Sequence, residues 1–330
     1  MTSTSDNTRP DRRSPDPEEI RQAAQLISEF AKQTPIHTSR HVDEKTGFEV
    51  YFKCENFQRT GSFKFRGACN AILSLSDEEA ERGVVTHSSG NHAQAVSLAA
   101  SIRGIPAHIV MPESAPANKV AAVKGYGSDI TFCTSTLKAR EASADEIIQQ
   151  TGAALIHPYN DPNIIAGQGT AALELLEEVP DLDVLMAPVG GGGLISGTAI
   201  AAKGHDRELT VVAAEPEQAD DAYRSFHQKQ LIRDQSADTI ADGLRTSLGE
   251  LTFPILCTYV DDVITVSESS IISEMKYLFE RMKIVVEPSS APPLAALLDM
   301  EFSRRLRRAG ARKIGIILSG GNADLDSLPW

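Results

Sequence analysis

The sequence contains few cysteines and no long apolar run, the two features that would place the protein outside the ordinary globular class. Of its 330 residues only four are cysteine, and Cys54, Cys69, Cys133 and Cys257 form no CxxC pair. They indicate reduced thiols of a cytosolic protein, not a disulfide framework or a zinc site. No apolar run reaches the length of a membrane span, and the polar N-terminus lacks the apolar core of a secretory signal.

Positive charge is also scarce. The 32 Lys and Arg residues stand against 45 Asp and Glu residues, which gives a net charge of −13. An extended nucleic-acid surface is therefore not expected, although a local basic pocket for a small anion remains allowed. We expect a cytoplasmic protein whose partner is a small molecule, neither a nucleic acid nor a membrane.

Short apolar strands alternate with helical segments along the chain after Gly61. Repeated strand–helix units predict an α/β fold of mostly parallel sheets with helices on both faces. A count near ten strands suggests two lobes, with a cleft at the carboxyl ends of the strands. The predicted strands cover residues 84–89, 107–112, 129–133, 154–158, 183–189, 210–216 and 313–321.

No long linker divides the chain. We expect a disordered tail over residues 1–15, followed by a helix that Asp16 and Pro17 begin. A large domain is predicted over 16–82 and 160–330, and a small domain over 83–159.

Lys64 stands between two phenylalanines in the segment SFKFRG. An apolar setting disfavours the charged ammonium, and a neutral lysine amine can form an imine with a carbonyl. The segment alone also fits a lysine at the start of an amphipathic helix, with its amine reaching water. The residues by themselves leave both interpretations open.

Four consecutive glycines, Gly190 to Gly193, separate an apolar strand from a helix in PVGGGGLISG. Bare amides at a helix N-terminus form an anion site, and only glycine lets a phosphate approach so closely. This junction predicts a phosphate cradle. It is neither a GxGxxG motif nor a P-loop.

Two further junctions carry polar side chains. HSSGNHAQA, residues 87–95, fits either a carboxylate site or plain capping of the next helix. ILSGGNAD, residues 317–324, ends the last predicted strand with Ser319 and a glycine pair, and alone it also fits an ordinary turn.

A lysine that can form an imine and a phosphate cradle are together what pyridoxal 5'-phosphate requires. The chain resembles the fold-type-II pyridoxal-phosphate enzymes (tryptophan synthase β-like), and within them the serine racemase and serine/threonine dehydratase family. The resemblance covers roughly residues 18–328. The segments that carry it are KCENFQRTGSFKFRGACNAI, SSGNHAQA, GGGGLISG, TIADGLRTS, VVEPS and SGGN, in that order.

The resemblance implies a Schiff-base role for Lys64. It also implies that Phe63 packs beside the cofactor ring, that Asn91 bonds its phenolic oxygen and that Ser319 meets its pyridine nitrogen. A serine there, unlike an aspartate, does not keep that nitrogen protonated, which suits elimination and racemisation better than transamination. The cofactor-binding set implied is Phe63, Lys64, Asn91, Gly190, Gly191, Gly192, Gly193, Leu194, Gly243, Glu287 and Ser319.

The implied reaction is β-elimination from a small hydroxy amino acid to a 2-oxo acid and ammonia, with racemisation of serine allowed beside it. Lys64 would move the Cα proton on one face, and Ser89 would be the acid on the other. The implied substrate-binding residues are Ser88, Ser89, Asn91, His92 and Arg140. Relatives in the family suggest a homodimer.

AAEPEQADDAY, residues 213–223, resembles the divalent-cation site of the racemase branch. Glu215 and Asp221 would supply carboxylates and Ala219 a carbonyl to Mg²⁺, Ca²⁺ or Mn²⁺. The residues alone also fit an acidic turn after a strand.

Several alternatives stay open. Tyr159 and the pair Pro292-Pro293 depart from the family's usual residues, which leaves the substrate undecided. A 3-hydroxyaspartate dehydratase would need a cation such as Arg140 or Arg245 for the second carboxylate. Racemase as the main activity, a β-replacement synthase and a non-catalytic amino-acid-binding protein are further alternatives.

Overall fold

The chain folds into two β-sheets flanked by helices, in a computed structural model that describes residues 13–88, 90–115, 117–233 and 237–330. Within these ranges the strands are β1 (Ile36–Thr38), β2 (Glu49–Cys54), β3 (Val84–His87), β4 (Ala107–Pro112), β5 (Asp129–Cys133), β6 (Ala154–Leu155), β7 (Val184–Pro188), β8 (Thr210–Pro216), β9 (Asp262–Val266) and β10 (Lys313–Leu318). The α-helices are α1 (Pro17–Ile27), α2 (Arg40–Thr46), α3 (Lys64–Leu73), α4 (Asp77–Glu81), α5 (Asn91–Arg103), α6 (Ala117–Gly125), α7 (Leu137–Thr151), α8 (Pro162–Glu178), α9 (Gly193–His205), α10 (Asp221–Gln228), α11 (Thr252–Tyr259), α12 (Glu268–Met282), α13 (Pro292–Leu298) and α14 (Met300–Arg308).

The four strands β3 to β6, which are consecutive in sequence, form one sheet, and the six strands before and after them form the other. One sheet has the strand order β1-β2-β10-β7-β8-β9 and the other the order β5-β4-β3-β6. All neighbouring strands in both sheets are parallel except the β1–β2 pair, which is antiparallel. The predicted α/β class with mostly parallel sheets is therefore confirmed. The domain boundaries stay a prediction.

The central strands β7 and β10 are buried along almost their whole length, as the apolar runs predict for a parallel sheet covered on both faces. Strand β6 ends at Leu155, three residues before the predicted end. The chain then leaves the sheet and enters the cavity that is described below. No helix in the described ranges is long and apolar enough to cross a membrane.

The predicted start of the first helix is confirmed. Asp16 caps α1 and forms a capping box with Glu19, while Pro17 occupies the first turn. Of the tail expected to be disordered, residues 1–12 lie outside the described residues. Residues 13–15 do not match that expectation, since Pro15 is buried and Arg13 pairs with Glu19 at 2.8 Å.

A buried group of four charges joins β2, α3 and α8. The Arg66 guanidinium contacts Glu55 at 2.7 Å and Glu174 at 2.6 Å, and Lys53 Nζ contacts Glu174 at 2.5 Å. Burial acts to raise the pKa of Glu174, but the hydrogen bonds and charges of Arg66 and Lys53 outweigh it and hold that pKa below its usual range. The two positive charges equal the two negative charges, so the loss of one group would leave a buried charge of the opposite sign without its full compensation. Arg66 thereby fixes the helix that begins at Lys64.

Replacing Glu174 by glutamine should lower the free energy of unfolding by about 3 kcal/mol, because the buried Lys53 then loses its carboxylate partner and Arg66 keeps only Glu55. The contribution of Glu174 is fully present above the pKa of an unfolded glutamate, about 4.3. It is lost as the pH falls through the lower pKa of the folded state. The difference between parent and variant in urea unfolding should therefore shrink in acid. Glu78→Gln is the control, since Glu78 pairs with Arg82 at the exposed surface; equal losses in both variants would contradict the prediction.

Candidate active site

A cavity of about 940 Å³ lies at the carboxyl ends of strands from both sheets. The loops after β3, β7 and β10 all reach it, as expected for a parallel α/β fold. It brings together most of the predicted site residues. Those that line it are Phe63, Lys64, Ser88, Asn91, His92, Arg140, Gly190, Gly191, Gly192, Gly193, Leu194, Gly243, Glu287 and Ser319.

Lys64 is the first residue of α3, and its amine lies in this cavity. The Nζ atom donates to the carbonyl oxygen of Pro158 at 2.8 Å and lies 5.1 Å from the centre of the Phe63 ring. Burial lowers the pKa of Lys64 to about 8, while the negative charge of Glu287 acts in the opposite direction. A substantial fraction of the amine is therefore neutral near physiological pH, which is the form that attacks a carbonyl.

The glycine loop between β7 and α9 presents backbone amides to the same cavity. Helix α9 begins at Gly193, so the preceding amides point out of its positive end. Among the described residues, the structure gives no acceptor for the amides of Gly190 to Gly193. Unpaired amides at a helix N-terminus are suited to a phosphate.

Close packing around the loop accounts for two of its glycines. A Cβ at Gly191 would lie 2.3 Å from a ring atom of Tyr159. Gly192 has φ +89°, which other residues adopt only with strain, and a Cβ there would lie 2.8 Å from Leu248 and Thr252. The loop is therefore packed closely against Tyr159, Leu248 and Thr252, which restricts its backbone.

Asn91 begins α5 and holds Glu287 in the cavity wall. Its Nδ2 atom lies 2.9 Å from both carboxylate oxygens of Glu287, and its Oδ1 atom accepts from Asn322 at 2.9 Å. Burial and the negative charge of Asp242 raise the pKa of Glu287 to about 7, against the hydrogen bond from Asn91. Glu287 is thus a group that can exchange a proton near neutral pH. A bond from Asn91 to the ring's phenolic oxygen stays a prediction.

The end of β10 supplies a buried hydroxyl. Ser319 Oγ lies 3.1 Å from Ser290 Oγ and 3.4 Å from the carbonyl oxygen of Ser289. The Ser289 hydroxyl in turn accepts the amide of Gly243 at 3.0 Å, which places Gly243 in the same wall. No carboxylate of the described residues bonds to Ser319, so this serine offers the cavity a neutral hydroxyl.

Described residues after β3 and at the start of α5 also line the cavity. Burial first, and then the charge of Lys64, lower the pKa of His92 well below its usual value, so its ring is neutral. Its Nε2 atom lies 3.0 Å from the carbonyl oxygen of Ile156. Ser88 and Arg140 line the cavity nearby. Ser89 lies outside the described residues.

The predicted cation site lies beyond the glycine loop, where β8 leads into α10. Glu215 and Asp221 are both buried. Burial first, and then the charge of Asp221, raise the pKa of Glu215 well above its usual value, and burial raises the pKa of Asp221 to about 7. A bound cation would favour both anions, so the two carboxylates and the Ala219 carbonyl fit an oxygen-preferring ion. No cluster of three His, Cys, Asp or Glu side chains suited to a metal occurs within the described part of the chain.

Sequence reasoning missed several residues of the site. The Pro158 carbonyl and the hydroxyl of Thr252, which donates to the carbonyl of Gly191 at 2.8 Å, belong to segments without a ligand-binding pattern. Asn322 and Ser289 are different, because they lie inside the quoted segments SGGN and VVEPS. Their position in those segments is the sequence signal that could have identified them as site residues.

Comparison with known proteins gives a consistent result. Residues 27–320 match the family described as pyridoxal-phosphate dependent enzyme. The chain is 50% identical to a serine racemase of Dictyostelium discoideum over 94% of its length and 95% of that protein. It is 46% identical to a beta-hydroxyaspartate dehydratase of Paracoccus denitrificans, over 95% of this chain and 98% of that one. The solved structure of maize serine racemase superposes with a TM-score of 0.93 at 48% identity, covering 95% of each chain.

Proposed function

The chain belongs to the fold-type-II pyridoxal-phosphate-dependent enzymes, and from this premise we propose that it is a serine/threonine dehydratase of the serine-racemase type. The observation that carries the proposal is the shared cavity of Lys64 and the glycine loop. The amine with its lowered pKa and the amides of Gly190 to Gly193, for which the described residues supply no acceptor, belong to residues that line one space. Pyridoxal phosphate bound there would supply the electron sink that stabilises a carbanion at Cα of an amino acid.

Each group of the cavity has a proposed task. The glycine amides and Leu194 would hold the phosphate, and Phe63 would pack beside the ring. Lys64 would hold the cofactor covalently, and its Nζ atom would move the Cα proton of the substrate. The Ser319 hydroxyl would meet the ring nitrogen without a charge, which would favour elimination over transamination.

The substrate carboxylate is assigned to the start of α5. Ser88, Asn91 and His92 lie there, beside the Lys64 amine. Ser89 is proposed as the acid on the face opposite Lys64, on the strength of the sequence resemblance. With it, the same cavity would racemise serine as well as deaminate it.

Purified protein assayed with L-serine, D-serine, L-threonine and the isomers of 3-hydroxyaspartate tests this function. We expect ammonia and a 2-oxo acid from L-serine or L-threonine, and chiral analysis will reveal any D-serine. A yellow, cofactor-loaded protein that releases ammonia from none of these substrates would contradict the proposal. That result would favour a binding protein on this fold.

A 3-hydroxyaspartate dehydratase is the second candidate, and Arg140 is the observation that favours it. Two other cations of the cavity have carboxylate partners, since Lys119 pairs with Asp242 at 2.8 Å and Arg233 with Glu250 at 3.0 Å. Within the described residues, no carboxylate pairs with the guanidinium of Arg140. Arg245, the other cation considered for this role, also lines the cavity, but its guanidinium donates to the carbonyl oxygen of Thr239 at 2.9 Å, so we assign the second substrate carboxylate to Arg140.

In that case Arg140→Gln should lower kcat/KM for the preferred 3-hydroxyaspartate isomer by about 10²-fold, because a buried charge pair is lost. The value for L-serine should change only severalfold, since serine has no second carboxylate. Arg233→Gln is the matched control, because that arginine already has a partner. An equal loss for both substrates would contradict a side-chain specificity role for Arg140.

We also propose a divalent cation at Glu215, Ala219 and Asp221. A chelator should lower the melting temperature of the parent protein, and Mg²⁺, Ca²⁺ or Mn²⁺ should restore it, because ligand binding stabilises the folded state. The Glu215→Ala variant should show no response to either addition. A variant that responds as the parent does would place the ion elsewhere.

Two remaining proposals concern the whole protein. We propose a homodimer, from the family resemblance, and a cytoplasmic location, from the reduced cysteines. Light scattering of the loaded protein distinguishes one chain from two. Fractionation of the source cells tests the location.

A further inference from the structure

The turn from Leu248 to Thr252 lies between the glycine loop and Asp221 and contacts both. Thr252 and Leu248 are almost completely buried, at 0% and 2% exposure. Neither belongs to a segment with a ligand-binding pattern. Their contacts nevertheless determine how the back of the phosphate cradle is held.

Thr252 fixes one peptide of the cradle. Its hydroxyl donates to the carbonyl oxygen of Gly191 at 2.8 Å and accepts the amide of Gly249 at 2.8 Å. In a trans peptide the carbonyl and the following amide point in opposite directions. The hydrogen bond that holds the Gly191 carbonyl away from the cavity therefore directs the Gly192 amide toward it.

Leu248 supports the same peptide and connects it to Asp221. A Cβ at Gly192 would lie 2.8 Å from Leu248 Cδ2, so the loop backbone rests directly on this side chain. The amide of Leu248 donates to Asp221 Oδ2 at 3.1 Å. Asp221 is 1% exposed, so this bond is shielded from water. One turn therefore links a carboxylate of the cation site to the carbonyl behind the phosphate cradle.

We propose that Thr252 is a positioning residue for the cofactor phosphate and that the Leu248–Thr252 turn couples phosphate binding to the cation site. The proposal rests on the proposed cofactor and cation sites and adds to them a route between the two. A cation that fixes Asp221 also fixes the turn and hence the Gly192 amide. By linkage, phosphate binding must favour cation binding to the same extent.

The first test compares pyridoxal phosphate with pyridoxal, which lacks the phosphate but has the same aldehyde for Lys64. Dissociation constants are measured on apoenzyme by absorbance. Thr252→Val removes the hydroxyl at nearly constant volume and should weaken pyridoxal phosphate by about tenfold, the effect of one buried hydrogen bond. Pyridoxal binding should stay unchanged. Equal weakening of both ligands, or of neither, overturns the positioning role.

Two further variants keep the test decisive if Thr252→Val folds poorly. Thr252→Ser retains the hydroxyl and Thr252→Ala lacks it, so the serine variant should bind pyridoxal phosphate more tightly than the alanine variant. Thr258→Val is the matched control on the same helix, because that hydroxyl bonds only its own helix at the exposed surface. The control should bind both ligands as the parent does.

The second test measures the coupling with Ca²⁺ as the probe. Calcium should tighten the binding of pyridoxal phosphate to parent apoenzyme by severalfold, leave pyridoxal unaffected and lose this effect in Thr252→Val. Tightening of both ligands alike, or tightening that persists in the variant, overturns the coupling. If calcium does not raise the melting temperature of parent apoenzyme, the cation proposal fails and the coupling fails with it. The positioning role is still judged by the first test.

Discussion

Replacement of Lys64 by alanine will lower turnover by at least about 10⁴-fold, because one substitution removes both the covalent attachment and the proton-transferring amine. The glycine loop is unaffected by this change and should still hold the cofactor through its phosphate. The variant should therefore bind pyridoxal phosphate without forming a covalent bond. Absorbance and equilibrium dialysis measure both properties.

Chemical trapping identifies the lysine directly. Borohydride reduction of the loaded parent, followed by peptide mapping, should place the adduct on Lys64. Lys119 is the internal control, because it lines the same cavity but pairs with Asp242. An adduct on Lys119 or on any other lysine would refute the assignment.

The lowered pKa of Lys64 gives this reaction a pH dependence. Only the neutral amine attacks the aldehyde, so covalent attachment to apoenzyme should become faster as the pH rises and level off above about 8. Stopped-flow absorbance follows the rate. A rate that continues to rise toward the pKa of an ordinary lysine, about 10.4, would show that burial does not act on this amine.

Replacement of Ser89 by alanine should suppress formation of D-serine far more than formation of pyruvate from L-serine. Racemisation needs an acid on each face of the planar carbanion, whereas elimination from L-serine needs only the base on the Lys64 face. Loss of a positioned acid–base group costs on the order of 10² to 10⁴ in rate. Chiral chromatography and pyruvate release, measured on the same samples, give the two rates.

The neighbouring hydroxyl provides the control for this experiment. Ser88→Ala should raise KM for both reactions, because Ser88 is assigned to the substrate carboxylate. If Ser89→Ala lowers both reactions equally, Ser89 is also a carboxylate-binding residue. If the parent makes no D-serine at all, the protein is a dehydratase without racemase activity.

Most of the framework could be predicted because it depends on contiguous residues. The apolar runs of β7, β8 and β10 and the capping signal of α1 are local patterns, and the structure has all of them. Strands β1, β2 and β9 were not predicted. Strand β2 lies in a segment without the regular strand–helix alternation, and its place between β1 and β10 comes from pairing with distant residues.

The site also combines features that local sequence predicts with contacts that only the tertiary structure reveals. The sequence by itself predicted a phosphate cradle at the four glycines, and the order of the quoted segments, through the family resemblance, assigned Lys64 to the cofactor aldehyde, because these signals lie in contiguous residues. Only the tertiary structure decided what holds them. Asn91 and Glu287 are 196 residues apart, and Arg66 lies 108 residues from Glu174. Nothing local to Thr252 indicates that its hydroxyl fixes the Gly191 carbonyl. Such contacts depend on which segments pack together, and that is determined by burial across the whole chain.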